Sequence, residues 1–221
     1  MRVLRFFSYL AIFSFCFSSC SHKQEGSATS FQTDQKKPRV AIAPLIDESH
    51  HRLKWNVSKE ITYGIYDTLL QKNHCTLAQL HKTQEVTKKL SKTKDPFSSD
   101  IAWIKDSFPD QEFVIFTILL EHSEKPSYPT EKVAISDSPT DLKIVCQVRV
   151  FDLREELPKV ILQEEIAKTQ HIPRQFTCFN FPQVAFGDPL YTFSPMGIFH
   201  AELIHEIALH IEDYILLGDT K

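Results

Sequence analysis

From Asp141 to Phe151 the chain alternates as a half-buried β-strand must. Leu142, Ile144, Cys146, Val148 and Val150 fall on one face, and Lys143, Gln147 and Arg149 on the other. Asp152 to Pro158 carries turn residues, and Lys159 to Gln170 returns as a partner strand with Val160, Leu162 and Ile166 facing in. A hairpin with one wholly apolar face must be covered, so the pair commits the chain to a sheet with other elements packed on it. Two more runs, Arg39 to Ile46 (RVAIAPLI) and the VIFTILL within Glu112 to Glu121, read as strands buried on both faces. A helix is expected from about Asn56 to Lys72. Asn56 supplies its N-cap, Glu60 suits the positive end of its dipole, and Val57, Ile61, Ile65 and Leu69 form its apolar face.

Smaller elements follow the same logic. Cys75 to Leu80 reads as a short strand, and Thr83 to Ser91 and Ser99 to Phe108 as two short helices parted by Lys94, Asp95 and Pro96. Residues 122–139, with Pro126, Pro129 and Pro139, read as a loop, and residues 171–194 as a long segment rich in aromatics and proline. The last helix is expected from about Pro195 to Leu217, capped by Ser194, with Pro195 in its first position and Gly218 at its end. This order predicts an α/β fold: a mixed sheet of about five strands with helices packed against it.

The N-terminus bears on the compartment. Arg2 and Arg5 precede an uncharged, mostly apolar stretch from Phe6 to Phe17, 12 residues long. That suits the apolar region of a signal peptide and falls short of the roughly 20 residues a membrane-spanning helix needs. Ser18, Ser19, Cys20 and Ser21 then resemble the lipobox of bacterial lipoproteins, although Phe17 stands where that family usually has Leu. The resemblance implies a signal peptide over residues 1–19 and cleavage before Cys20. It also implies a thioether lipid and acyl chains such as palmitate on Cys20, and a periplasmic-facing anchor in the outer membrane. Residues 20–37 would be the lipidated cysteine and its tether, and residues 38–221 a single globular domain. An ordinary cleaved signal peptide with a soluble product is the simpler alternative.

Charge and composition narrow the functions. The chain has 25 basic and 28 acidic residues. Without Arg2 and Arg5 the mature chain would hold 23 basic residues against those 28. A mildly acidic domain without a basic run is a poor nucleic-acid binder, because that affinity comes mostly from neutralising phosphates. None of the five glycines builds a phosphate loop or a dinucleotide fingerprint, and there is no G-x-S-x-G elbow, so no cofactor is expected. Cys75, Cys146 and Cys178 are an odd set without a CxxC pair, allowing at most one intramolecular disulfide.

The candidate sites weigh against catalysis. His200, His205 and His210 sit five residues apart and so point about 140° apart on a helix, which does not gather them around a metal. They read as ordinary helix histidines. His50 and His51 are adjacent and diverge. Glu155 and Glu156 occupy a turn, and Glu164 and Glu165 point to opposite sides of a strand, so neither is a facing carboxylate pair. A Cys–His nucleophile has no local signature. The sharpest hint is the segment from Phe176 to Phe199, which holds Phe179, Phe181, Phe186, Tyr191 and Phe193 among stiffening prolines. Aromatics on a loop either cover a core or supply contact area to a partner. These five are the candidate partner-binding residues.

The RVAIAPLID opening, the helix with Ile61, Ile65 and Leu69, the FVIFTILL strand and the VRVFDLREELPKVI hairpin together resemble a group of envelope lipoproteins. That group includes the curli-secretion lipoprotein CsgG, the penicillin-binding-protein activator LpoB and the exopolysaccharide lipoprotein PelC, whose domain looks like the N-terminal domain of TolB. The resemblance covers roughly residues 38–217. It implies a TolB N-terminal-like sandwich and a non-enzymatic role, with a cell-wall synthase, a secretion component or further copies of the chain as partners. Residues 122–139 are shorter and richer in proline than pore-forming hairpins, and the tether is short beside those of the synthase activators, so no partner-binding residue carries over. The rival expectation is a periplasmic hydrolase or metal-dependent enzyme.

Overall fold

The computed structural model describes residues 36–51, 53–90, 93–127, 139–173 and 184–219, and residues 36–221 form one compact unit. The strands are β1 (Arg39–Ile42), β2 (Ile46–Asp47), β3 (Thr76–Leu77), β4 (Phe113–Pro126), β5 (Thr140–Asp152) and β6 (Lys159–Ile172). The helices are α1 (Val57–Lys72), α2 (Leu80–Leu90), α3 (Trp103–Ser107) and α4 (Pro195–Asp219), the last preceded by a 3-10 turn at Tyr191–Phe193. The six strands make one mixed sheet in the order β3-β1-β4-β5-β6, with β2 also on β4. β1 is parallel to β3 and β4, whereas β4, β5 and β6 are antiparallel neighbours.

The strand expected from Arg39 to Ile46 is interrupted. Pro44 cannot donate to a ladder; Ala43 N–H still donates to the Ile115 carbonyl at 2.9 Å, and the strand breaks at Pro44 and Leu45 before β2 resumes it. Helix α1 meets the backbone groups left over: Leu45 N–H donates to Thr62 Oγ1 at 2.9 Å, and Ser58 Oγ donates to the Leu45 carbonyl at 2.5 Å. Asn56 caps α1 as its sequence demands, accepting from Lys59 N–H at 2.8 Å.

Both faces of the sheet are covered. On one, α1 and α4 pack over Val40, Ile42, Ile115, Leu119 and the β5 row from Leu142 to Val150. On the other, Trp103 and Ile104 of α3 and Phe108 just after it cover Ala41, Phe116 and Phe151, with Val86 and Leu90 of α2 against them. This second layer covers the face opposite the Leu142–Val150 row, where Arg149 lies. Arg149 is buried, and its Nη1 donates to the carbonyls of Pro96 (2.9 Å) and Ser98 (2.8 Å), pinning the 95–98 loop across the sheet.

Two other expectations change. Residues 122–126 extend β4 to Pro126, which pairs with Thr140, so the loop reading fails for that stretch. The register shift between Leu119 and Glu121 obscures the alternation in sequence. Residues 128–138 lie outside the described residues. Gly218 does not end α4: it stays within the helix, and its carbonyl accepts from Arg154 Nη2 at 2.7 Å. Among the described residues no helix is long and apolar enough to cross a membrane.

Candidate functional site

The starts of α1 and α4 meet around a buried polar cluster. Glu60 lies one turn into α1, on the stripe that holds Val57, Ile61 and Ile65, and is 3% exposed. His200 occupies the matching place on α4, in line with Met196, Leu203 and Ile207, and is fully buried. Three donors converge on the Glu60 carboxylate. Trp55 Nε1–H reaches Oε2 at 2.6 Å, His200 Nδ1 lies 2.9 Å from Oε1, and the Tyr191 hydroxyl donates to that same oxygen. The Tyr191 hydroxyl is also 3.0 Å from His200 Nδ1. A buried carboxylate is tolerated only when its lone pairs are filled in this way.

From His200 the cluster continues outward. His200 Nε2 faces His122 Nε2 at 3.0 Å, the two rings perpendicular. With His200 Nδ1–H committed to Glu60, the complementary arrangement has His122 Nε2–H donating to His200. That leaves His122 Nδ1 as a buried acceptor with no partner. Burial, and then the neighbouring His200 and His51, lower the His122 pKa to about 3. His51 stacks on His122 with ring centroids 4.7 Å apart, and its Nε2 is 3.7 Å from Glu124 Oε1 at the surface. Burial, then the charge of Glu60, raises the Tyr191 phenol far above its usual range. An open depression of about 620 Å³, lined by Asp47, Leu53 and Lys54, lies over His51 and Trp55.

Hydrogen bonds join Glu60, Tyr191, His200 and His122, and only ring stacking carries the cluster on to His51. Among the described residues the cluster includes no Ser, Thr, Cys or Lys, and no three His, Cys, Asp or Glu side chains are placed to hold a metal ion. Of the thiols described, Cys146 is buried in the sheet and raised to about 12 by burial and then Asp47. Cys75, raised to about 11 by burial and then Glu212, packs at the far end of α1 beside His74 and Leu216. Both are free.

The residues singled out in sequence are placed as follows. Tyr191 is 5% exposed, so it supports the loop from beneath and does not face a partner. Phe186, 40% exposed, rests its ring edge on Tyr191, and Phe193 is 79% exposed. Leu190 and Ile198 are exposed beside them. Cys20, Phe176, Cys178, Phe179 and Phe181 lie outside the described residues. His205 is exposed, and His210 bonds to Glu164 on β6 at 2.8 Å, so the three α4 histidines do diverge. His200 is not an ordinary helix histidine, however, and Glu60 does more than complement a dipole. Both carried a legible signal, a titratable residue in the middle of an apolar stripe. His122, within a stretch read as loop, carried none.

A mixed sheet clad on both faces by helices, with a polar cluster between two of them, makes this an α/β sandwich. The chain belongs to a family of unknown function, DUF7499, whose model matches residues 27–219. No curated protein matches it. Among solved structures it is similar to the hypothetical protein CT253 from Chlamydia trachomatis, with 23% identity and a TM-score of 0.62 over 81% of this chain and 98% of that one. It is more loosely similar to the lipoprotein GNA1162 from Neisseria meningitidis, with 13% identity, a TM-score of 0.43, and coverage of 77% and 98%. The LpoB C-terminal domain from Salmonella enterica is similar at 10% identity with a TM-score of 0.38, covering 61% of this chain and 84% of that one.

Proposed function

We infer that this chain is a lipid-anchored envelope lipoprotein that works by binding a protein partner and carries out no catalysis of its own. The observation that carries the reading is the apolar surface at the start of α4. There Phe186, Leu190, Phe193 and Ile198 are between 40% and 79% exposed. Phe186 rests its ring edge on Tyr191, whose hydroxyl is held by Glu60 and His200 beneath. Rigid, exposed aromatics over a fully bonded base make a preorganised contact surface. The N-terminal pattern ending at Cys20 supplies the anchor in this reading. The partner class is a cell-wall synthase or export component, or further copies of the chain at the outer membrane.

The test is crosslinking from cells that express the wild-type chain, Cys20→Ala or Phe193→Asp, with mass spectrometry of the mature N-terminus. The reading expects an acylated Cys20 and an envelope partner whose capture drops at least tenfold in Phe193→Asp. An unmodified N-terminus overturns the anchor. Capture that ignores Phe193 overturns the binding surface.

A further inference from the structure

The two ends of the domain differ, and the point where the chain enters tells them apart. Lys37 Nζ donates to Asn73 Oδ1 at 2.8 Å, and Asn73 is the left-handed C-cap of α1. The polypeptide therefore enters at the C-terminal end of α1. Helix α4 runs parallel to α1. Glu60 meets His200 near their starts, Gly64 meets Ile204 midway, and Lys72 and His74 both hold Glu212 near their ends. The end of α4 thus shares the entry end, and the Arg154–Gly218 bond brings the turn between β5 and β6 there too. At this end Leu157 is 71% exposed, Leu217 65% and Leu216 38%, with Tyr214 at 42% one turn earlier.

We propose that this entry end is a membrane-contacting surface whose occupant is the phospholipid bilayer holding the Cys20 anchor; the proposal rests on the lipid-anchor reading above. The sixteen Cα steps from Cys20 to Lys36 span at most about 55 Å. The 25 residues of α4 make it about 37 Å long. Because the anchored chain joins the domain at this end, the entry end is the one held next to the bilayer, and the start of α4 lies a helix length away from it. Leucines that enter the boundary between headgroups and acyl chains leave water there, a tyrosine is at home at that depth, and the exposed Lys36 and Lys37 meet lipid phosphates. Glu155 and Glu156 in the same turn keep the insertion shallow: the Leu157 side chain enters and the turn's backbone does not. The arrangement aims Phe186 and Phe193 away from the membrane, toward the partner.

The experiment uses the full lipidated protein in vesicles of phosphatidylethanolamine and phosphatidylglycerol. The vesicles also carry a phosphatidylcholine with a diazirine near the headgroup boundary. After flotation and irradiation, adducts are mapped by peptide mass spectrometry. The expected result is at least tenfold more adduct on peptides carrying Leu157 and Tyr214–Leu217 than on the peptide spanning 186–198. A Leu157→Ser/Leu217→Ser variant, with thermal unfolding matched to wild type, is expected to lose at least fivefold of that labelling and still float. Equal labelling at both ends, or labelling confined to 186–198, overturns the proposal. If the wild-type protein floats with an acylated Cys20 and the entry end stays unlabelled, the membrane face alone is wrong. If it neither floats nor carries acyl chains, the anchor reading falls and the proposal falls with it.

Discussion

His122 is neutral in the folded protein down to about pH 3, whereas a histidine in an unfolded chain titrates near 6.5. Between those values the unfolded state binds a proton that the folded state does not, so stability rises with pH. The contribution is fully present above pH 6.5 and is lost as pH falls toward 3, at up to about 1.4 kcal/mol per pH unit. Urea unfolding at pH 7.5 and pH 4.5 is expected to show this loss in the wild type and a flatter dependence in His122→Gln. Glu60 sets a larger effect. Glu60→Ala strands the Trp55, Tyr191 and His200 donors in a dry site and is expected to cost about 3–5 kcal/mol by denaturant unfolding. Tyr191→Phe removes a single donor and is expected to cost about 1–3 kcal/mol.

At the scale of elements, the α1–α4 contact depends on the absence of a side chain. A Cβ added at Gly64 would lie 2.6 Å from Ile204 Cδ1, 3.0 Å from its Cγ2 and 3.2 Å from its Cγ1. Ile204 is buried and branched, so it has little freedom to turn away. Gly64→Ala would gain about 1 kcal/mol in an isolated helix. Here it is expected to destabilise by about 1–3 kcal/mol, and combined with Ile204→Ala it is expected to cost less in thermal unfolding than the sum of the two single changes. Gly197 is under a stricter constraint, since its Cβ would fall 2.0 Å from the Tyr191 carbonyl oxygen. That oxygen already accepts from Ser194 Oγ and Ser194 N–H, which couple the 3-10 turn to the first turn of α4.

At the scale of the molecule, the proposed contact surfaces lie at the ends of the domain and its stability in the layers between them. Phe193→Asp changes an exposed ring at the start of α4. It is expected to shift unfolding by less than about 0.5 kcal/mol while removing partner capture, a separation read by running both assays on one preparation. Native alkylation is expected to leave Cys146 untouched for hours, because its thiol is buried in the sheet and held up to about 12, and to modify it rapidly once urea unfolds the chain.

The hairpin of β5 and β6 and the Asn56-capped helix α1 were legible because period-2 and period-3.6 apolar patterns and a capping side chain are local facts. A mixed sheet with packed helices follows from them, since each apolar face must be covered. Both-sided burial was not legible at Arg149, whose cover comes from the 95–98 loop about fifty residues away. Nor was the extension of β4, whose polar tail is a strand only because β5 pairs with it. The polar cluster takes its meaning from the tertiary structure. Glu60 and His200 stand out in sequence only as titratable residues within apolar stripes, His122 not at all, and up to 140 residues separate them. Their meaning arises where two parallel helices and a sheet exclude water, because only there must every donor find an acceptor.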